Sequence, residues 1–251
     1  MRGVLTDIDD TLTTEGTLTM GAVAAIAALR TAGLPVIAVT GRPMGWSVPV
    51  VETTTLSAVV AENGAVALRR SGDDAGVAIE YAQDEAIRSR NAGRLREVAA
   101  RILAEVPGAT LARDSAGRVT DIAIDHAEFA HLDAAAIAKV VSIMRDAGMN
   151  ATVSSIHVNG WFGDHTKLTG ARWMVERLLG RDLDGERADW LCVGDSTNDE
   201  PMFAAFPLSV GVANIVDFAD RLAQWPAYVT ARDRGLGFVE VAEALIAARS
   251  T

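Results

Sequence analysis

The chain has 251 residues, of which 49% are hydrophobic, and it carries a formal net charge of −10 at pH 7. This length and apolar content allow one large domain, or a core with a smaller insert. The acidic balance and the lack of a basic run argue against a nucleic-acid partner. Because the longest Ala-rich stretch, residues 22–29, is too short to span a bilayer, we expect a soluble, cytoplasmic protein with no membrane partner.

The first acidic turn, residues 7–11 (Asp-Ile-Asp-Asp-Thr), follows the apolar segment 3–5. At the carboxyl end of a strand, such a turn lies where open α/β sheets bind ligands. Carboxylates this close need a cation, a proton or full solvation, and Mg²⁺ prefers such oxygen ligands. A calcium loop is excluded because Leu12 and Leu18 replace its Gly and Glu. A solvated turn with Asp10 as a helix cap remains the alternative to a magnesium site.

The next elements predict a doubly wound α/β core. An Ala- and Leu-rich helix is expected from Met20 to Arg30, and a buried strand from Leu34 to Val39 ends on Thr40. A second short strand, residues 58–61, runs into Asn63-Gly64, which favours a hairpin. Alternation of strand and helix indicates a mainly parallel sheet.

The middle of the chain has a different pattern. The Gly- and Asp-rich segment 71–76 marks the edge of an inserted lobe, for which we expect the following elements: a helix at 84–106, apolar-alternating segments at 109–113 and 119–125, a helix at 133–147 and a strand at 151–158. This pattern predicts an inserted α+β domain over residues 81–160, between core segments 1–80 and 161–251.

The core pattern then resumes, and it brings further polar groups. The expected elements are a helix at 167–179 that begins with Lys167, a strand at 190–193 that leads into Gly194-Asp195, a helix from 197, short strands at 208–212 and 227–230, and a closing helix at 236–248.

Four motifs occur in the chain in a fixed order. They are the Asp7–Thr11 turn, Val39-Thr40-Gly41-Arg42-Pro43, Lys167, and residues 194–200 (Gly-Asp-Ser-Thr-Asn-Asp-Glu). Together they resemble the motifs of the haloacid dehalogenase (HAD) superfamily of phosphohydrolases. The insert lies between Thr40 and Lys167 and has an αββ-then-αβ order, which is similar to the type C2B cap of subfamily IIB (Cof-type and sucrose-phosphatase-like enzymes).

The resemblance implies a phosphomonoester hydrolase with a Rossmannoid core. Asp7 would attack phosphorus to form an aspartyl-phosphate, and Asp9 would act as general acid and base. Lys167 would add positive charge at the phosphoryl group, and Thr40 would hydrogen-bond one of its oxygens. The resemblance assigns Mg²⁺ to Asp7, the main-chain carbonyl of Asp9, and Asp195. It gives Asn198 and Asp199 supporting roles.

The substrate is expected to be a small phosphorylated metabolite, most simply a sugar phosphate or a phosphoglycerate derivative. Gly41, Arg42 and Asn63 are the core residues expected to contact it. In the inserted lobe the candidates are Ser155, His157 and Asn159, because hydroxyl, imidazole and amide groups suit hydrogen bonding to a sugar. The adjacent Trp161 is either a stacking surface for a sugar ring or a buried interdomain residue.

Two other functions remain open at this stage. A phosphomannomutase-like enzyme needs a second basic cluster, for which the insert offers the arginines at 88, 90, 94, 96 and 101. Their spacing suits an exposed helix face. A phospho-acceptor or binding protein without turnover also uses an acidic cluster, a Thr and a Lys around magnesium. The acid at Asp9 and the large insert favour the phosphatase.

Overall fold

The computed structural model of the chain describes residues 1–72 and 76–249. In chain order its strands are β1 (Gly3–Thr6), β2 (Thr13–Thr14), β3 (Thr17–Leu18), β4 (Val36–Val39), β5 (Ala58–Ala61), β6 (Val66–Arg70), β7 (Val77–Tyr81), β8 (Thr110–Leu111), β9 (Asp121–Asp125), β10 (Asn150–Val153), β11 (His157–Trp161), β12 (Trp190–Gly194), β13 (Leu208–Gly211) and β14 (Tyr228–Val229). The helices are α1 (Met20–Thr31), α2 (Met44–Thr53), α3 (Glu85–Glu105), α4 (Ala134–Asp146), α5 (Lys167–Leu179), α6 (Glu200–Ala205) and α7 (Arg234–Arg249). None of these helices, all within the described residues, is long and apolar enough to cross a membrane.

The larger sheet has the order β14-β13-β12-β1-β4-β5-β6-β7. Its pairings are parallel from β14 to β5, and the last two are antiparallel. The chain leaves β1 toward β4 on one side and later returns to β12 on the other, so the strand order reverses at β1. This topology confirms the predicted doubly wound, mainly parallel sheet. It places Asp7, Thr40 and Asp195 together at the carboxyl edge, where such sheets bind ligands.

Side-chain alternation along the central strands builds a core on each face of this sheet. Val4 of β1 packs in a cluster with α1, α2 and α7, whereas its neighbour Leu5 packs in a second cluster with α5 and α6. Both residues are fully buried. Helices therefore cover both faces, as expected for strands that are apolar throughout.

The smaller sheet is antiparallel, with the order β10-β11-β9-β8. One face packs against α3 and α4 through a cluster that includes Ile122, Ile124 and Val158. The other face carries the polar residues Asp121, Asp125, His157 and Asn159, and Asn159 contacts the core at Gly41. This topology supports our proposal that residues 81–160 form a cap over the carboxyl edge of the larger sheet.

Two local predictions for the cap were wrong. The single strand expected at 151–158 is a hairpin of β10 and β11, because Ser154 Oγ accepts hydrogen bonds from the amides of Ile156 and His157 and turns the chain. The cap order is therefore αββαββ rather than αββ followed by αβ. The predicted edge of the insert at 71–76 includes residues 73–75, which lie outside the described residues.

Close packing of two glycines fixes the position of α5. The β5–β6 turn passes through Asn63 (φ 56°) and Gly64 (φ 109°), and α5 lies directly on it. A Cβ atom added to Gly170 would be 2.6 Å from Gly64 Cα and 2.8 Å from Val60 Cγ1. Because Lys167 begins this helix, the approach of the two backbones positions its side chain at the sheet edge.

We predict that Gly170→Ala lowers the free energy of unfolding by about 1–3 kcal/mol, since the new methyl group must displace backbone. The matched control is Gly93→Ala in α3, where a Cβ meets nothing within 4 Å. That change should stabilise the protein by about 0.5–1 kcal/mol through helix propensity. Urea denaturation of both variants measures the difference, and equal effects would contradict the packing argument.

Candidate active site

Lys167 is held between two buried carboxylates. Its Nζ donates hydrogen bonds to Asp7 Oδ1 and Asp199 Oδ1, both at 2.8 Å, and to Asn198 Oδ1 at 3.3 Å. Burial alone lowers the pKa of Lys167, but the charges of Asp199 and Asp7 outweigh it, so the pKa lies above its ordinary value. Thr166 caps the helix N-terminus and so fixes the start of α5. Lys167 is therefore a charged, immobilised ammonium.

Three buried carboxyl groups, those of Asp7, Asp195 and Asp199, place one oxygen each within 4.8 Å of one another. Burial raises the pKa of Asp7, and the charge of Lys167 opposes that shift. Burial also raises the pKa of Asp195 well above its ordinary value, and Asp7 adds to the shift. Within the described part of the chain, Asp195 Oδ1 is buried without a hydrogen-bond partner. One ammonium cannot neutralise three carboxylates, so this donor set fits a divalent cation.

Both carboxylate oxygens of Asp199 already accept hydrogen bonds from the protein. Its Oδ1 accepts from Lys167, and its Oδ2 accepts from the amides of Asp195 (3.0 Å) and Ser196 (3.4 Å). A Cβ on Gly194 would lie 2.4 Å from Asp199 Cγ, so only glycine permits this contact. Asp7 and Asp195 are thus the carboxylates with oxygens left for a metal. The third predicted ligand, the main-chain oxygen of Asp9, stays a prediction.

The loop after β4 carries the second motif. Thr40 is fully buried, and its Oγ1 accepts from the amide of Arg42 at 3.0 Å. The carbonyl of Gly41 points to the cap, where it accepts from Arg118 Nη1 at 2.9 Å and from Asn159 Nδ2 at 3.3 Å. The structure therefore brings the Thr40 loop and one predicted cap residue, Asn159, into direct contact.

The Arg42 guanidinium joins the core to the cap. Its Nε donates to Asp9 Oδ1 at 2.8 Å, its Nη1 to Asp114 Oδ2 at 3.2 Å, and its Nη2 to Glu128 Oε1 at 3.0 Å. Only 4% of the side chain is exposed. Burial acts to lower the pKa of Arg42, but the charges of Asp9 and Glu128 raise it above its ordinary value. The residue that fixes the orientation of the Asp9 carboxyl group is thus also bound to two cap residues.

A second buried group of charges covers the Thr40 loop. Arg118 Nη1 donates to both carboxylate oxygens of Asp121 at 2.9 Å. Asn63 and Asn159 donate to the same Asp121 Oδ2, at 3.4 and 3.3 Å. Two of the predicted substrate contacts therefore share one cap carboxylate, and Arg118, rather than an arginine of α3, supplies the cation above this loop.

His157 lies on the cap side of the Arg42 cluster. Its Nε2 is 2.9 Å from Glu128 Oε2. The hydrogen bond from His157 lowers the pKa of Glu128 to about 2, against the effect of burial, and Arg42 contributes as well. A continuous chain of polar contacts therefore runs from His157 through Glu128 and Arg42 to Asp9.

Two other predicted positions lie apart from this network. Ser155 is in the β10–β11 turn, and its hydroxyl is buried with no hydrogen-bond partner in the described residues. Trp161 is 3% exposed, stacks on His165 at 5.7 Å between ring centroids, and donates from Nε1 to the His165 carbonyl. Of the two alternatives for Trp161, the structure therefore shows the buried one.

Glu62 is a site residue that the sequence analysis missed. It is fully buried after β5, and its carboxylate accepts from the amides of Met44, Val119 and Thr120, at distances from 2.6 to 3.1 Å. Burial raises its pKa, and the nearby Asp121 adds to the shift. Glu62 thus ties the cap segment before β9 to the core beside Asn63. Its position directly before Asn63, in a strand-end turn, is the signal that could have identified it.

Asn214 was also missed, although it follows the carboxyl end of β13. Its Nδ2 donates to the carbonyl of Asp10 at 3.1 Å and to Asp195 Oδ2 at 3.3 Å, and its Oδ1 accepts from the amide of Arg234. The Arg234 side chain pairs with Asp10 at 3.1 Å. Asn214 therefore orients Asp195 and leaves Oδ1 of that carboxylate as the unpartnered oxygen.

Comparison with known proteins relates the first part of the chain to a family. Residues 4–89, which include the Asp7 turn and the Thr40 loop, match the family model of haloacid dehalogenase-like hydrolases. The match is confined to this N-terminal part of the chain. Among curated proteins, none matches the sequence.

Solved structures share the fold of this chain over nearly its whole length. A Thermoplasma acidophilum protein is 17% identical in sequence and has a TM-score of 0.73, and the alignment covers 97% of each chain. The sucrose-phosphatase of Synechocystis sp. PCC6803 has a TM-score of 0.67 at 15% identity, over 98% of this chain and 99% of that one. The trehalose-6-phosphate phosphatase C-terminal domain of C. albicans has a TM-score of 0.67 at 13% identity, over 98% and 93%. These likenesses extend over nearly all of the chain, residues 81–160 included.

The buried hydrogen bonds of Glu62 allow a prediction for stability. Glu62→Ala should lower the free energy of unfolding by about 3 kcal/mol, because buried amides lose their acceptor at about 1–3 kcal/mol each and water replaces part of it. Glu52→Ala, at an exposed position on α2, should change stability by less than about 0.5 kcal/mol. Chemical denaturation compares the two variants. A Glu62→Ala variant with nearly the wild-type free energy of unfolding would contradict the stabilising role of these hydrogen bonds.

His165 gives a second prediction, for pH dependence. It is 8% exposed, neither ring nitrogen has a partner in the described residues, and burial lowers its pKa from 6.5 to about 4. The unfolded chain therefore binds this proton at a higher pH than the folded protein. Stability should fall as the pH drops from about 6.5 to about 4, by on the order of 3 kcal/mol at about 1.4 kcal/mol per pKa unit.

His165→Phe removes that titration and should flatten this part of the stability profile without loss of stability at pH 8. His131→Phe, at an exposed histidine, should leave the profile as in the wild type. Thermal unfolding from pH 4 to pH 8 tests both variants. A His165→Phe profile that parallels the wild type would show that another group causes the acid sensitivity.

Proposed function

We propose that this protein is a phosphatase of the HAD type that cleaves small phosphomonoesters through a phosphoryl group carried on Asp7. The observation that carries the proposal is the contact of Lys167 Nζ with Asp7 Oδ1 at 2.8 Å, beside the unpartnered Asp195 Oδ1. Phosphoryl transfer depends mainly on positioning and on stabilisation of charge. A carboxylate nucleophile next to a fixed ammonium and a site for a divalent cation meets both needs.

In the first half of the reaction, a carboxylate oxygen of Asp7 attacks phosphorus and the bond from phosphorus to the leaving oxygen breaks. The electron pair stays on the leaving oxygen, which takes a proton from Asp9. Arg42 holds the Asp9 carboxyl group through its Nε, so the proton donor is fixed in place. Lys167 remains beside the phosphoryl oxygens and offsets their charge.

In the second half, Asp9 accepts a proton from water, and the resulting oxygen attacks the phosphorus on Asp7. The bond between phosphorus and the Asp7 oxygen breaks, which releases inorganic phosphate and restores the carboxylate. Asp7 is 5% exposed and Asp9 8% exposed. Exclusion of bulk water strengthens the electrostatic interactions on which both steps depend.

Mg²⁺ is the cofactor that we infer, held by Asp7 and Asp195 with the main-chain oxygen of Asp9. When bound, it would neutralise the carboxylates and polarise a phosphate oxygen. The unpartnered Asp195 Oδ1 and the buried excess of carboxylates support this assignment. Asn198 and Asp199 keep Lys167 in position and do not react.

The substrate class that we propose is a small phosphorylated metabolite, foremost a sugar phosphate. The sucrose-phosphatase and the trehalose-6-phosphate phosphatase that share the fold support it. The positions of the cap arginines argue against the mutase alternative. Arg88 lies over the Tyr81 ring, Arg94 lies over the Phe162 ring, and Arg101 pairs with Glu105 on an exposed face of α3.

Two substitutions test the chemistry. Asp7→Asn should lower kcat for p-nitrophenyl phosphate by at least about 10³-fold because the nucleophile is lost. Asp9→Asn should lower kcat for sugar phosphates by about 10²–10⁴-fold, as expected for loss of a general acid and base. A chelator should abolish wild-type turnover, and added Mg²⁺ should restore it.

The matched control is Asp220→Asn at an exposed position, which should retain wild-type kcat. Phosphate release measured for all variants, with circular dichroism to verify folding, separates chemistry from misfolding. A folded Asp7→Asn enzyme with wild-type turnover would overturn the proposed function. A wild-type protein that accepts phosphate on Asp7 but never releases it would favour the phospho-acceptor alternative.

A further inference from the structure

A cavity of about 320 Å³ opens directly beside the general acid, between the first turn of the core and the cap loop before α4. Its walls include Asp9, Asp10, Glu15, Arg42, Glu128 and Phe129. Since Asp9 protonates the leaving oxygen, the group attached to that oxygen must lie in this space. The volume is at the lower end of the range of about 300–1,000 Å³ for ligand pockets, which suits a leaving group of few carbons. This inference rests on the proposed function.

Arg42 is the cation that lines this cavity, and its charge is already paired with carboxylates of the protein. Arg42 already binds the carboxylates of Asp9, Asp114 and Glu128, one through each of its nitrogens. A second acidic group on the substrate would have to displace one of these carboxylates. The displaced carboxylate would then remain buried without its partner, which is costly.

The guanidinium group of Arg118 is paired with carboxylates in the same way. Arg118 binds Asp114 and both oxygens of Asp121, and its side chain is 2% exposed. Together the two guanidinium groups face four carboxylates, those of Asp9, Asp114, Asp121 and Glu128. When Asp9 carries the proton that it donates, three carboxylates still face the two guanidinium groups, so these arginines have no unpaired charge for a second anion.

The mouth of the cavity is acidic as well. Glu15 is exposed there, and Asp10, which is paired with Arg234, forms the adjacent wall. Carboxylate oxygens accept hydrogen bonds and repel other anions. The apolar contribution comes from Phe129 and Ile156, which offer a surface for C–H groups. A group rich in hydroxyls and free of negative charge complements these walls.

We propose that this cavity selects phosphomonoesters of uncharged, hydroxyl-rich leaving groups, that is, phosphorylated polyols and simple sugars, over esters that carry a second anion. The phosphoryl group itself is bound elsewhere, at Lys167 and the metal ligands, so its charge is not subject to this selection. Phosphoglycerates and sugar bisphosphates are therefore poor substrates, for the same electrostatic reason. The acidic wall, and not the size of the cavity, discriminates between them.

The sharpest test compares glycerol 3-phosphate with 3-phosphoglycerate, which differ only where a hydroxymethyl group is replaced by a carboxylate. For the wild-type enzyme with Mg²⁺, kcat/KM should be at least about tenfold higher for glycerol 3-phosphate, because like charges at short range cost at least that factor. Glucose 6-phosphate and glucose 1,6-bisphosphate form a second pair with the same expected direction. p-Nitrophenyl phosphate reports the chemical step without these contacts.

Variants identify the cause of the selectivity. Glu15→Gln and Glu128→Gln each remove one charge from the cavity and should narrow the ratio between glycerol 3-phosphate and 3-phosphoglycerate by about threefold or more, mainly through KM of the anionic ester. Glu97→Gln, on an exposed part of α3, should leave the ratio unchanged. Glu15 is exposed, so that variant tests the inference even where Glu128→Gln fails to fold.

Each outcome decides one of the two proposals. Turnover of p-nitrophenyl phosphate with equal kcat/KM for both members of each pair, or a ratio that Glu15→Gln does not change, overturns the charge selection and leaves the phosphatase intact. No turnover of any ester, p-nitrophenyl phosphate included, overturns the proposed function and this inference with it. Preference for the neutral ester that weakens in Glu15→Gln but not in Glu97→Gln supports the inference.

Discussion

The rest of the structure depends on the buried contact between one ammonium group and several carboxylates. Lys167 reaches Asp7 and Asp199 at 2.8 Å, while Asp195 lies among them with an unpartnered oxygen. Carboxylates are costly to bury and repel one another unless a cation compensates them. Reversal of strand order at β1 brings these acids to one edge, and the glycine contact of α5 delivers Lys167 to them. This edge of the sheet therefore carries excess negative charge, which a divalent metal ion can neutralise and a phosphoryl-transfer reaction can use.

Arg42 extends this charge pattern from the core into the cap. Because its guanidinium binds Asp9 together with Asp114 and Glu128, the orientation of Asp9, the proposed general acid, depends on where the cap lies. Glu62 makes a second link through the amides of Val119 and Thr120. Each link joins a core residue to a cap segment about 60 residues or more away along the chain. In the proposed reaction, the cap therefore contributes to the position of the catalytic groups as well as to the walls of the proposed substrate cavity.

The sequence was informative where local chemistry coincides with strand ends. Asp7, Thr40 and Asp195 each follow a short apolar strand, so a parallel sheet had to bring them together. The cap charges could not be placed this way, since Asp114, Arg118 and Glu128 lie in loops whose partners are set only by tertiary structure. Asp121 did carry a signal, as an acid in the alternating strand Asp121–Asp125, whose isoleucines pack against the helices. The β10–β11 hairpin was missed because a serine side chain, and not Gly or Pro, turns the chain.

The central claim is that Asp7 carries the phosphoryl group during turnover. The most direct measurement is mass spectrometry of peptides from enzyme quenched in acid during steady-state hydrolysis of a sugar phosphate. The account predicts that the peptide containing Asp7 gains the mass of one phosphoryl group, that the gain disappears without Mg²⁺, and that Asp7→Asn never shows it. Phosphate release without any phosphorylated peptide, or a phosphoryl group on Thr40, Ser155 or His157 instead, would contradict the account.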